Sequence, residues 1–320
     1  MDIIRNIPTP TGNILIVNGN NGDLEMLSLG DYGKDVNIKC DALGLTRVPN
    51  RVRHTDLLPL TKKWVITIST QYGCSMNCAF CDVPNVGPGK NATYSDLVRQ
   101  VMVGVHLHPE IQRTDRLNIH FARMGEPTWN PNVLDAAKWF HTHLDPEYNV
   151  HPVVSTMMPR KNIWLKTFIH TWMRMKNRLY RGNAGLQLSI NSTDELERKA
   201  MFNFNAHTLR DISEIMQGII PMGRKITLNF AIAGWIIDPD TLLRYFSPDD
   251  YIIKLTPMHK TDTAIAGGLE TYGDYTSYHP YKEYERRLVA AGYDVLVFIA
   301  SKEEDESRIT CGNAILADEG

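Results

Sequence analysis

From Trp64 onward, short apolar runs alternate with stretches of helical periodicity. The apolar runs fall at 64–70, 117–121, 152–155, 186–190, 226–232, 251–255 and 294–299, and their lengths suit strands. Between them, Leu97, Val98, Val101, Met102 and Val105 share one helical face in the segment from Asp96 to His106. Val133 to His143 and Leu209 to Gln217 show the same period. Strand and helix in turn predict an α/β protein with a parallel sheet and helical crossovers. Six to seven such units predict a partial (β/α)6 barrel of the TIM type over residues 61–320. In that architecture chemistry gathers at the C-terminal ends of the strands. Residues 1–60 differ: Ile14-Leu15-Ile16-Val17 and Leu24-Glu25-Met26-Leu27 flank the turn sequence Asn18 to Gly22, and Val36-Asn37-Ile38 follows a second turn. They predict a small antiparallel β unit ending in a polar link at Pro49 to His54.

A chain of 320 residues can bury a barrel core with a small appendage, and 43% hydrophobic with 22% charged residues is ordinary for a globular protein. The N-terminal residues lack the basic and apolar regions of a signal peptide. The longest mainly apolar stretch, Ile226 to Ile237, is too short to span a bilayer. A soluble protein is expected, with no membrane partner. The formal net charge of −2 gives no global attraction to nucleic acid, which leaves local patches to be considered. One lies from Arg160 to Arg181, where seven basic residues occur without an acidic one. There Trp164, Phe168 and Trp172, widened by Leu165 and Ile169, predict a helix face turned to the core. The basic back of that helix reads either as a solvated face or as a surface for a nucleic-acid backbone near the active-site mouth.

The segment after the first barrel strand changes the picture most. Cys74, Cys78 and Cys81 stand in the spacing C-x3-C-x2-C. Three thiolates on one short loop can hold three irons of a [4Fe–4S] cluster and leave the fourth open for the amino and carboxylate groups of S-adenosylmethionine (SAM). One electron then splits the sulfonium bond and releases a 5′-deoxyadenosyl radical, chemistry that belongs to the cofactor. Structural zinc is the plain alternative, but it takes four closed ligands, and no fourth Cys or His is close in sequence. Free thiolates and an oxygen-sensitive cluster point to a reducing cytoplasm.

Further motifs carry a resemblance. Met124-Gly125-Glu126-Pro127 resembles the G-E-P motif of radical SAM enzymes, whose carboxylate accepts the SAM amino group. Val153 to Pro159, Leu188-Ser189-Ile190-Asn191-Ser192 with Asp194, Glu195 and Arg198, Lys254 to His259, and Thr310-Cys311-Gly312-Asn313 resemble, in order, segments of the rRNA adenosine methyltransferases of the RlmN and Cfr type. The likeness covers roughly residues 62–314. It implies SAM contacts from Gly125, Glu126, Pro127, Ser155, Ser189, Asn191 and His259. It also implies a methylation in which Cys311 is itself methylated by a first SAM. Radical chemistry on that methyl group then joins it to an electron-poor carbon of adenine, and a second cysteine resolves the adduct. An RNA or nucleotide substrate follows, and an external electron donor such as flavodoxin or ferredoxin.

Departures from the pattern bear on the outcome. Thr67 stands where the family keeps its second cysteine, and a hydroxyl is far less acidic than a thiol. Cys40 is the spare thiol, Asn191 and His259 replace a His and an Asn, and for the larger N-terminal RNA-binding domain of the RlmN branch the short N-terminal unit is long enough to be a truncated version only. Plain readings stand beside each role: Glu126 as a turn residue, Ser155 and Ser189 as strand-end caps, Cys311 as an inert buried thiol. Two other functions compete with methylation through Cys311. One is direct hydrogen abstraction by the 5′-deoxyadenosyl radical from a small molecule or peptide; the other is a non-catalytic binding protein that keeps a cluster.

Overall fold

The computed structural model describes residues 1–31, 57–269, 279–298, 306–309 and 314–316. Val36 to Ile38, Cys40, the link from Pro49 to His54, and Cys311 lie outside the described residues.

Strands β1 (Ile3–Thr9), β2 (Gly12–Gly19) and β3 (Gly22–Gly30) form an antiparallel meander. The turn sequence at residues 18–22 makes the β2–β3 hairpin as its Asn and Gly content predicts. β1 is an addition to the sequence reading, because Ile3 and Ile4 lie exposed on an outer strand and show no inward alternation. β3 pairs antiparallel with β4 (Trp64–Ile68), Leu27 opposite Thr67 and Gly30 opposite Trp64, so the meander extends the main sheet. β5 (Gln71–Gly73) and β6 (Pro88–Asn91) make a separate two-stranded ladder. Helix α1 (Tyr94–His106) opens with a capping box in which Thr93 and Asp96 satisfy each other's backbone N–H groups. Asp96 also accepts from the Tyr72 hydroxyl at 2.9 Å and from Asn20 N at 3.0 Å, tying the N-terminal hairpin to the cysteine-loop side of the barrel.

Strand β7 (Leu117–Phe121), helices α2 (Asn132–His143) and α3 (Asp145–Tyr148), strand β8 (Val150–Thr156), helix α4 (Leu165–Arg178) and strand β9 (Gly185–Ser189) follow. Next come α5 (Glu195–Met201), α6 (Leu209–Met216), β10 (Ile226–Ile232), α7 (Pro239–Tyr245), β11 (Tyr251–Pro257), α8 (Asp262–Ala266), α9 (His279–Ala290) and β12 (Asp294–Val297). Strands β4, β7, β8, β9, β10, β11 and β12 pair in that order, all parallel. This is the partial TIM-type barrel that the alternating pattern predicts. Among the described residues no helix is long and apolar enough to cross a membrane.

The two faces of the sheet differ. Trp64, Ile66, Ile68, Leu117, Ile119 and Phe121 are fully buried with Leu97, Val101, Phe140 and Trp172 of the helices, and Phe121 meets Trp172 edge to face at 6.1 Å. The opposite face is polar. Ladder register sets Thr67 beside His120, His120 beside Val153, Ser155 beside Gln187, Ser189 beside Asn229 and Asn229 beside Lys254. Partners in a ladder point to the same side, so these residues line the concave interior. A closed barrel fills that space with branched apolar side chains. Here polar side chains take much of it, beside an apolar patch at Leu27, Leu29 and Val65 that meets Ile309 and Ala314.

The α4 expectation holds for four of its five apolar residues. Leu165, Phe168, Ile169 and Trp172 are buried, but Trp164 precedes the helix and is 67% exposed. Lys176, expected on the solvated back, is buried instead and donates to Met222 O. Burial and the nearby Arg224 charge push its pKa down to about 8. The helix runs away from the β8 C-terminus, so at ~1.5 Å per residue Arg178 lies roughly 18 Å farther from the barrel mouth than Lys166. Only the first part of the basic run is at the mouth.

Candidate active site

β4 delivers the chain to the C-terminal rim, and β5 with the cysteine loop follows at once. Two glycines shape that loop. Gly73 has φ +78°, and a Cβ there would sit 1.9 Å from Gly87 O; Gly89 has φ +94°, and its Cβ would meet Ser75 N at 2.4 Å. Ala79 N donates to Met201 O at 3.0 Å, and Asn205 Nδ2 donates to Met76 O at 3.0 Å, so α5 and the segment after it hold the loop from the side. Thr261 Oγ1 donates to Phe80 O at 2.6 Å and Thr263 N to Asp82 Oδ1 at 2.8 Å. These bonds bring the end of β11, with His259 two residues before Thr261, against the far side of the cysteines.

Cys78 is buried and Cys74 and Cys81 half-buried. Burial raises the Cys78 thiol well above its ordinary value, and the neighbouring Cys81 and Cys74, then Glu126, add to it. Cys74 is pushed up to about 11, again chiefly by burial, with a contribution from Glu126. Three thiols this close cannot ionise together without a compensating cation, which is what iron would supply. Among the described residues no three or more donors converge on one point to hold a single metal ion. A four-iron cube takes its thiolates at separate corners, so the donor set fits a cluster better than a tetrahedral zinc.

Glu126 is 2% exposed and joined to the cysteine loop through Gln71. Gln71 Oε1 accepts from Glu126 N at 3.0 Å and from the Ser75 hydroxyl at 3.0 Å, while its Nε2 donates to Gly89 O and to Asn91 Oδ1. Gly125 has φ +90°, and a Cβ there would lie 2.5 Å from Gln71 Cβ, so this contact requires glycine. The Glu126 carboxylate accepts from Thr128 N (3.0 Å), Thr128 Oγ1 (2.7 Å) and Met157 N (2.8 Å). Burial nevertheless raises its pKa, the hydrogen bonds opposing the rise. An incoming ammonium would relieve that cost. Pro127 opens the short 3-10 turn that aims Thr128 back at the carboxylate.

Ser155 and Ser189 lie near the ends of β8 and β9 on the concave face. Asn191, at φ +61°, donates its backbone N–H to Asn229 O and accepts from Ala231 N at 3.0 Å through Oδ1. The buried Asn229 Oδ1 beside it has no partner among the described residues and could accept from a polar ligand. Asp194 caps α5, accepting from Leu196 N and Glu197 N. Arg198 is 2% exposed, reaches Ile190 O and, at 3.0 Å, His207 O, and lies 5.3 Å from the Phe202 ring centroid. Those two matches therefore brace the site rather than line it.

Two features escaped the sequence reading. His120 is the ladder partner of Thr67. Burial, and then the charges of Lys254, Arg224 and Lys63, push its pKa down to about 3, so the imidazole is neutral at pH 7. The polar Asn118 and His120 alternating with apolar residues were its signal. The second is a buried ion pair between Glu25 of β3 and Arg123, with Arg123 Nε donating to Glu25 Oε1 at 2.6 Å. Arg123 also donates to Ile309 O (3.1 Å) and Arg308 O (2.8 Å), and Glu25 Oε2 accepts from Ile315 N at 2.8 Å. Arg5 adds a bond to Ala314 O at 3.3 Å. The residues on both sides of 310–313 are thus fastened to one pair. No sequence signal linked positions 98 residues apart.

No family model matches the chain. Among curated proteins it is 23% identical over 255 residues to the dual-specificity RNA methyltransferase RlmN of Sorangium cellulosum, covering 78% of this chain and 61% of that one. It is 27% identical over 213 residues to the RlmN of Pelobacter propionicus, covering 64% and 56%. The chain spans about half the length of such relatives. Among solved structures, a radical SAM methyltransferase from Sphaerobacter thermophilus superposes with TM-score 0.67 at 18% identity, covering 96% of this chain and 79% of that one. In sequence the chain is similar to RlmN-type RNA methyltransferases, and it shares the fold of the Sphaerobacter thermophilus radical SAM methyltransferase.

Proposed function

We propose that the protein is a radical SAM enzyme that methylates an sp2 carbon of an RNA adenosine or related nucleotide by way of methylated Cys311. The observation that carries this is the single hydrogen-bonded unit, bridged by Gln71, that joins the three-cysteine loop to Glu126 at the barrel rim. Cys74, Cys78 and Cys81 would hold a [4Fe–4S] cluster, and Glu126, with Gly125, Pro127, Ser155, Ser189, Asn191 and His259, would hold SAM. When bound, these groups supply a carbon radical by reductive cleavage of SAM, with the electron drawn from a flavodoxin- or ferredoxin-like donor. The chain's own part is to orient the ammonium on Glu126 and keep water out behind Phe80, Phe202 and Met76, which pack around the cysteines. Reduced thiols and the cluster favour the cytoplasm.

Anaerobic reconstitution with SAM and total cellular RNA, followed by mass spectrometry of protein and nucleosides, tests the reading. Expected are a methyl mass gain on Cys311, S-adenosylhomocysteine alongside 5′-deoxyadenosine, and a methylated adenosine. No mass gain on Cys311, with 5′-deoxyadenosine as the lone SAM product, would refute the cysteine route. Thr67 favours a second reading, direct hydrogen abstraction from a small molecule or peptide, which that product pattern would support. If Cys311 does carry the carbon, a protein–RNA adduct accumulates in the native enzyme, and Thr67→Cys clears it. Multiple turnovers without a trapped adduct would contradict this.

A further inference from the structure

Two aromatic side chains stand out at the barrel mouth because they are exposed where the surrounding backbone is tightly held. Trp164 is 67% exposed and Phe204 65%, and Ile163 beside Trp164 is 87% exposed. Neither position is a floppy tip. Phe204 and the preceding Asn203 have φ of +59° and +48°, a left-handed conformation that a bulky residue avoids unless its surroundings impose it. Phe204 N donates to Lys199 O at 2.8 Å, and Asn205 binds the cysteine loop through Met76 O. Trp164 N donates to Asn162 Oδ1 at 3.0 Å, and Asn162 Nδ2 donates to Thr128 O at 2.7 Å, next to the Glu126 carboxylate.

The two segments are joined to each other. Pro159 and Ala206 form an antiparallel bridge, Arg160 N donates to Asn205 O at 2.7 Å, and His207 N donates to Met158 O at 2.9 Å. Around them Arg160, Lys161, Lys166 and Lys199 are exposed. Neither 157–181 nor 198–210 contains an acidic residue. Rigid aromatic faces among cations, with no carboxylate in either segment, match unpaired nucleotides: bases stack on the rings and phosphates pair with the cations. A duplex would hide its base faces, and an acidic protein surface would leave the rings unused.

We propose that Trp164 and Phe204, with Arg160, Lys161 and Lys199, form a platform that binds single-stranded RNA beside the radical site. The proposal rests on the RNA reading above and narrows it, from a basic helix to the rim at its start. Binding of a short fluorescent unpaired oligoribonucleotide to the cluster-reconstituted protein tests it, with the same sequence as a blunt duplex for comparison. Trp164→Ala and Phe204→Ala should each weaken single-strand binding about fivefold or more, Trp164→Phe should keep most of it, and the duplex should bind more weakly. Replacing Arg160 and Lys161 together by Ala should lower the salt slope by about 1.4, two phosphates at ~0.7 each. Thermal melts and cluster absorbance confirm that each variant is folded. Ultraviolet crosslinks on the unmutated protein, mapped by mass spectrometry, should fall in 157–166 or 199–207; crosslinks elsewhere overturn the platform. Wild-type affinity in both alanine variants, or preference for the duplex, overturns it while leaving the RNA reading intact. No RNA binding by the unmutated protein at low salt removes both.

Discussion

Arg123→Ala is expected to release the C-terminal segment without unfolding the barrel. The Arg123 and Glu25 side chains are 5% and 0% exposed, so truncating the arginine leaves a buried carboxylate whose remaining partner among the described residues is Ile315 N. Stranding one member of a buried pair costs about 3–5 kcal/mol. The Arg308 and Ile309 carbonyls lose their charged donor in the same step. Among the described residues the segment is also held by the Arg5 bond to Ala314 O, by Ile315 against the barrel core, and by Ile309 and Ala314 in a satellite cluster with Ile14, Leu27 and Leu29. One buried Ile is worth about 1.5–3 kcal/mol, so the loss is of the same order as the remaining attachment. Among the described residues the segment meets the main barrel core through Ile315 alone, so the core should keep its packing.

Hydrogen exchange read by mass spectrometry separates local from global opening. At 1.4 kcal/mol per decade, a loss of 3 kcal/mol makes peptides covering 306–316 exchange roughly 100-fold faster, while β7 to β10 stay at wild-type rates. Replacing Glu25 and Arg123 together by Met should restore part of the protection, since no charge is then stranded. Unchanged exchange at 306–316, or equal acceleration throughout the barrel, would refute the reasoning. Because Cys311 lies between the two fastened stretches in sequence, the methylation proposed for it should fall along with the protection.

Glu126→Gln should weaken SAM binding to the reconstituted protein about tenfold to a hundredfold, the worth of one hydrogen bond to a charged group; unchanged affinity would remove Glu126 from the SAM site. Gly125→Ala, at φ +90° with a Cβ 2.5 Å from Gln71, should cost about 1–3 kcal/mol in denaturant titration and lower cluster content; a neutral result would mean that Gln71 moves freely. His120, held down to about 3 against an ordinary 6.5, leaves the unfolded chain binding the extra proton between those values. Stability should therefore fall as pH drops from 6.5 toward 3, by on the order of 1 kcal/mol per pH unit, and His120→Val should flatten that slope; an unchanged acid profile would show that the imidazole is solvated.

What the sequence made legible is what local pattern controls. Seven apolar runs became seven parallel strands because each had to bury one face against a crossover helix. The cysteine spacing and the Gly-Glu-Pro turn stand out in sequence because each is confined to a few consecutive residues, and the fold brings the two together through Gln71. Trp164 was misassigned because periodicity says nothing of where the first turn begins. Asn162 sets a turn ahead of the helix, which begins at Leu165, and residue 164 is left facing out. Gln71 carries no motif at all; its role exists only where residues 71, 75, 89 and 126 meet. The Glu25–Arg123 pair is equally invisible, since its partners come from a meander strand and a barrel loop.

The concave face bears most directly on the fate of an adduct. Thr67 and His120 are ladder neighbours there, a hydroxyl beside a neutral imidazole. The hydroxyl is too weak an acid to act as the family's thiol does, either as a base or in a disulfide. The imidazole can accept a proton, but a pKa near 3 makes it a weak acceptor, and it cannot form a bond to sulfur. Proton removal and sulfur capture, which one thiol can combine, are thus separated on this face: the first has a poor candidate and the second has none among the described residues of the barrel interior. Thr67→Cys restores the sulfur without disturbing the proton acceptor. It is therefore the single change that distinguishes the proposed cysteine route, short of one sulfur, from the direct hydrogen abstraction of the second reading.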